Sequence, residues 1–181
     1  MFSAAMARRS LLIAAMLLAL PVHAERIDAI VSVVGDRVVT LSDIGFEETF
    51  SAHDRSPVLP FAAGALDPLR RLEDYRILRA LAGDVAVFQP ADLAVTARME
   101  DFRASWSLRR DYELFLVRWG MDEHDLRDQL YGRMVVEQYV LRNLGAEVMV
   151  GADPARALDR YDAWMARRRA DTPARRVGDV P

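Results

Sequence analysis

Cysteine and lysine are both absent from the 181 residues. The first absence excludes disulfides, a thiol nucleophile, thiolate metal centres and a lipidated cysteine. The second makes all 24 basic residues arginine. An all-arginine set could point to phosphate or nucleic acid. Here 27 acidic residues are interleaved with it and the net charge is −3, so no nucleic-acid partner is expected. Histidine is scarce, and beyond residue 24 only His53 and His124 remain. Neither sits in a cluster with ligand spacing, so no metal and no cofactor is expected. Glycine-rich phosphate loops are missing too, since Val34-Gly35-Asp36 lacks the further glycines and the lysine of nucleotide-binding fingerprints. Ser32, Ser42, Ser51, Ser56, Ser105 and Ser107 lie in no nucleophile-elbow pattern. Paired acids such as Glu47-Glu48 and Glu73-Asp74 read as solvated helix faces. Spacing alone points to no enzyme.

Long hydrophobic runs are lacking as well. Leu11 to Leu20 is unbroken but stops at Pro21, about half of the roughly 20 residues that a membrane-spanning helix needs. With Arg8-Arg9 before it and Pro21-Val22-His23-Ala24 after it, the run reads as a signal peptide over residues 1–24, cut after Ala24. The arginine pair alone does not specify twin-arginine export, and the general route is favoured. Removing 24 of 181 residues leaves 157, and losing Arg8 and Arg9 takes the net charge from −3 to −5. That length suits one domain, residues 25–181, with no stable membrane anchor.

What is present is mainly helical. Two β-branched runs around Gly35-Asp36 predict a type II′ hairpin, in which Val33 faces Val38 and Val31 faces Thr40. Ile27, Ala29, Val31, Val33 and Val38 would share one apolar face, and Ile30, Val34, Val39 and Leu41 the other. Both would need cover. Thr40 or Ser42, with Asp43, opens a short helix to about Ala52. His53 to Ala65 reads as a loop with the apolar tip Val58-Leu59-Pro60-Phe61. Asp67-Pro68 opens a second helix that ends at Gly83. A third helix runs from Pro90 to Gly120, Asp122 with Asp125 caps the longest, which stops at Gly145, and Asp153-Pro154 starts the last.

The stretch from Ile27 to Ile44, with Gly35-Asp36, Thr40 and Ser42-Asp43, resembles the opening of mature SurA-type periplasmic chaperones. More loosely the resemblance extends to about residue 145. It implies a helical SurA N-terminal-like domain with a small hairpin: a core over 25–145, then a returning helix and tail over 146–181 whose end joins the hairpin as a strand. It also implies a periplasmic protein that holds unfolded outer-membrane polypeptides, without a covalent step. Longer members of that family carry parvulin-type prolyl isomerase domains. The 37 residues after Leu144 are too few for one, so isomerase activity is not expected. The expected client contacts are Val58, Leu59 and Phe61, with Met99, Met121, Met134 and Met149 as adaptable apolar groups. A rival reading is an envelope subunit that uses the same fold to dock one dedicated partner.

The signal-peptide reading predicts that exported protein begins Glu25-Arg26-Ile27. N-terminal sequencing checks it, and a membrane-held chain still starting at Met1 contradicts it.

Overall fold

The computed structural model describes residues 28–146, 150 and 153–177. The predicted signal peptide, Met149 and the last four residues lie outside this range. Strands β1 (Ile30–Val34) and β2 (Arg37–Thr40) lead into helix α1 (Leu41–Asp54). Helices α2 (Pro68–Ala82), α3 (Asp92–Ala104), α4 (Arg109–Arg118), α5 (Glu123–Leu144) and α6 (Pro154–Asp171) follow, and strand β3 (Ala174–Arg176) ends the described chain. Short 3₁₀ turns at Leu59–Phe61 and Ala86–Phe88 interrupt the connections on either side of α2. The architecture is mainly helical with a three-stranded antiparallel sheet in the order β2-β1-β3.

The hairpin turns at Gly35, whose φ of +61° is open to glycine without a Cβ penalty; Asp36 is not in that region, the II′ pattern. Val33 faces Val38 as expected, but Ile30 rather than Val31 faces Thr40, because β1 carries a bulge between Ile30 and Ser32. An extra residue reverses the alternation. On the turn side of the bulge Ser32, Val34 and Val39 form the buried face, while Ile30 and Leu41, assigned to it from the pattern, are 50% and 60% exposed. β3 returns against β1, pairing Arg175 with Val33 and Ala174 with Val34. The opposite face stays partly open, with Val38 exposed.

The helix starts follow their caps. Thr40, not Ser42, caps α1 in a reciprocal box: the Asp43 amide donates to Thr40 Oγ1 at 3.2 Å and the Thr40 amide to Asp43 Oδ2 at 3.0 Å. Asp67 with Pro68, Asp122 with Asp125, and Asp153 with Pro154 open α2, α5 and α6 as their sequences indicate. The single helix expected from Pro90 to Gly120 is instead two, α3 and α4, broken over residues 105–108. The apolar stripe Val95, Met99, Phe102, Trp106 resumes at Leu108. That two-residue step is out of phase with a 3.6-residue repeat, so one straight helix cannot bury both halves.

Two hydrophobic clusters result. The first joins the sheet, α2, α6 and the C-terminal half of α5 around Val34, Leu78, Val136, Val140, Tyr161 and Met165. The second joins α1, α3, α4 and the N-terminal half of α5 around Phe50, Met99, Phe102, Phe115, Leu126 and Leu130. The 53–65 connection belongs to the first cluster: Val58 and Phe61 are fully buried in it, and Leu59 packs against it.

β3 also carries Arg176, whose guanidinium donates to Glu73 at 3.1 and 2.8 Å; Ser32 of β1 donates to the same carboxylate at 2.7 Å. One side chain of α2 thus ties both strands. Deleting residues 174–181 removes that tie and bares the β1 edge. We expect a loss of about 2 kcal/mol, read as a melting temperature lower by roughly 4–8 °C; an unchanged melt contradicts it.

Candidate functional site

The expected client-contact loop does not present its apolar tip to solvent. Val58 and Phe61 have no exposed surface, because the 3₁₀ turn at Leu59–Phe61 folds them onto α2, α5 and α6. Leu59 is half-buried. Met99 is core, Met121 packs on the second cluster and Met134 is half-buried. Of the opening motif, Gly35 and Asp36 make the turn, Thr40 and Asp43 make the cap, and the exposed Ser42 donates its amide to Asp28. These residues shape the fold and form no common pocket.

A concavity lies elsewhere, between α1, α2 and α5. It is a cleft of about 780 Å³. Phe46 and Phe50 of α1 and Leu72 and Tyr75 of α2 give it apolar walls. The small residues Ala80, Gly83 and Gly132 also line it. The rim is polar: Arg76 pairs with Asp43 at 3.0 Å, Arg79 pairs with Asp84 at 3.5 Å, and Arg37, Asp128 and Gln129 complete it. Gly132 is required by close approach, since a Cβ there would come 2.6 Å from the Tyr75 hydroxyl.

At the floor are Glu47, expected on a solvated helix face, and Arg133, with Arg71 behind them. Glu47 is 2% exposed, held by Arg133 Nη2 at 2.5 Å and by Arg71 Nε at 3.5 Å. Arg71 and Arg133 are themselves 2% and 4% exposed. The Arg133 guanidinium lies over three rings, Phe61 at 5.0 Å, Tyr75 at 5.2 Å and Phe50 at 5.5 Å, contacts that offset part of its desolvation. Burial works against the charge of Arg133, but Glu47 and Asp54 outweigh it and its pKa is raised; at Arg71 burial wins over Glu47 and the pKa is lowered. Both stay cationic at any ordinary pH.

A second buried set adjoins the first. Arg98 of α3 forks onto Asp54 at 2.6 and 3.0 Å and reaches Glu137 of α5 at 3.0 Å, while Ser56 donates to Glu137 at 2.6 Å. Burial raises the pKa of Glu137 against the opposing charge of Arg98, and Asp54 adds to the rise. Across α2 and α6, Asp74 receives Arg169 at 2.7 and 2.6 Å and the Tyr161 hydroxyl at 3.2 Å. Glu73 and Asp74 are therefore not a solvated face, and Glu47 is not either.

A signal for this was present. Leu126, Leu130, Arg133, Glu137, Val140 and Leu144 follow one 4-3-4-3-4 stripe, so two of its six positions put a charge on the buried side of α5.

The fold also brings His53 to Ser105, with Nδ1 2.9 Å from Oγ. The Ser105 hydroxyl donates to the Phe102 carbonyl at 2.7 Å. The imidazole stacks on Trp106 at 3.4 Å, and burial, with the charge of Arg55, lowers its pKa. The group closes the break between α3 and α4. His124 is exposed in the first turn of α5. Among the described residues no group of three or more His, Asp or Glu is placed to hold a metal, and no helix is long and apolar enough to cross a membrane.

No family model matches the chain, and no curated protein does.

Glu47 alone stands between two buried guanidinium groups. Glu47→Gln is expected to cost about 3–5 kcal/mol, as breaking buried pairs from one side does. Urea unfolding should show a lower midpoint at unchanged slope. A loss under about 1 kcal/mol contradicts the arrangement.

Proposed function

We propose that this chain is a periplasmic holding protein, similar to the SurA-type chaperones, that binds extended segments of unfolded exported polypeptides in the α1–α2–α5 cleft without chemistry. The observation that carries this reading is the cleft. Its apolar walls at Phe46, Phe50, Leu72 and Tyr75 accept apolar side chains, and its rim of arginine and carboxylate side chains offers partners to a peptide main chain. Main-chain pairing with adaptable pockets gives affinity without demanding one sequence, which a holding protein needs. The resemblance at Ile27 to Ile44 and the export reading of residues 1–24 support the compartment and the class of client.

An envelope subunit with one dedicated partner is the rival. The observation in its favour is the outward side of α4, where Leu114 and Val117 are 52% and 77% exposed. Many clients against one stoichiometric partner in a pull-down separates the two.

The purified protein is expected to slow the light-scattering rise of an unfolded outer-membrane barrel protein and to leave the slow prolyl isomerisation phase of a test peptide unchanged. Ala80 is exposed and lines the cleft, so Ala80→Trp fills the groove without touching the core. That variant should melt like the wild type and lose most of the holding effect. Wild-type protein that leaves scattering unchanged overturns the holding reading, and isomerase activity above a contamination blank overturns the absence of chemistry.

A further inference from the structure

Two guanidinium groups, Arg133 lining the cleft and Arg71 behind it, meet at a single carboxylate, Glu47, which is paired with both. Three of their buried nitrogens, Arg71 Nε and Nη1 and Arg133 Nη1, have no hydrogen-bond acceptor. Arg71 spends Nη2 on the Leu66 carbonyl at 2.9 Å, and Arg133 spends Nη2 on Glu47. Glu47 Oε1, 3.5 Å from Arg71 Nε, is itself without a donor and can answer that nitrogen, which leaves the set one positive charge in excess with Arg71 Nη1 and Arg133 Nη1 short of acceptors. The adjoining Asp54 and Glu137 carry the opposite excess, but both Asp54 oxygens and Glu137 Oε1 are engaged by Arg98 and Ser56, and neither acid accepts from these three nitrogens. Buried N–H groups without acceptors are costly, and an incoming acceptor recovers that cost.

We propose that the cleft floor is a carboxylate site, in which Arg133, which lines the cleft, and Arg71 behind it take the carboxylate of a bound polypeptide. A carboxylate matches both deficits: it brings one negative charge and two acceptor oxygens, one for each of the two Nη1 groups. The fixed fork of a guanidinium suits it better than a point charge does. In an extended chain the free C-terminal carboxylate is the group that reaches a floor flanked by Tyr75 and Gly132 with least chain behind it. An internal Asp or Glu has the same chemistry.

This inference rests on the peptide-binding reading, and its test separates the two. Fluorescence anisotropy at pH 7.5 would compare three labelled eight-residue peptides of alternating apolar residues: one ending in a free carboxylate, one in a carboxamide, and one a carboxamide with an internal glutamate. The acid is expected to bind about tenfold more tightly than the plain amide, the scale of one charge-assisted contact. If the internal-glutamate peptide matches the acid, the site is a carboxylate site that also takes side chains; if it matches the amide, the site reads chain ends. Equal affinity of all three overturns the carboxylate site and leaves peptide binding standing. No binding by any of them overturns both. Arg133→Lys keeps a cation beside Glu47 but lacks the fork, and its fold is checked by its melt. It should shrink the acid-to-amide ratio toward one, and an unchanged ratio overturns the assignment to Arg133.

Discussion

The Arg133 guanidinium is the point on which the rest of the structure turns. It lies at the meeting of the two hydrophobic clusters, over Phe61 of the first and Phe50 of the second, with Glu47 at hydrogen-bond distance. A cation at such a position carries a desolvation cost of several kcal/mol that only good pairing and ring contact offset. It cannot slide along α5 by a turn without losing both. Register between α1, α2 and α5 is thereby set by polar geometry as well as by apolar packing, a use of buried charge for which specificity rather than net stability is the gain.

The same logic extends outward. Glu47, Asp54 and Glu137 face Arg71, Arg98 and Arg133, three carboxylates against three guanidiniums in one buried region. Each group bridges different elements: Asp54 and Arg98 join α1 to α3, Glu137 joins α3 to α5, and Glu47 joins α1 to α2 and α5. The region is balanced as a whole but not in its parts, because Arg98 is shared by two acids while Glu47 is shared by two arginines. The side that is short of acceptors is also the side that lines the cleft. Polar side chains that must keep their partners do not collapse together as leucines would, so an open groove above them is a consequence of how the seam is built.

Most of the local structure was legible in the sequence because it rests on local chemistry. The Gly35 turn, the Thr40–Asp43 box, the two Asp-Pro helix starts and the returning tail each depend on a few adjacent residues or on an obvious need for cover. The errors came where distant residues decide. The Val58–Phe61 segment was read as an exposed tip because prolines and a glycine surround it, yet its apolar side chains were themselves the sign that it is buried. The bulge in β1 adjoins Ser32, which is held inward by Glu73, a partner 41 residues away, while Ile30 beyond it turns outward. Glu47, Glu73 and Asp74 were read as solvent-facing because acids usually are, and their partners lie on other helices. Arg133 and Glu137 alone betrayed themselves, by standing on the apolar stripe of α5.

Helix α2 shows how little freedom these remote pairings leave around the cleft. Arg71 reaches the seam with α1 and α5, Glu73 reaches both β1 and β3, Asp74 reaches α6, and Arg76 reaches back to Asp43. Four charged residues within six positions find their partners on three parts of the chain: α1, the strands β1 and β3, and α6. Asp43 closes a loop in this pattern, because the carboxylate that caps α1 is also the partner of Arg76 on the cleft rim. The wall formed by Leu72 and Tyr75 is therefore carried on a helix restrained from the sheet side, the α6 side and the seam at once. A groove whose walls are fixed this way is pre-formed, so a polypeptide entering it would spend little of its binding energy on shaping the site.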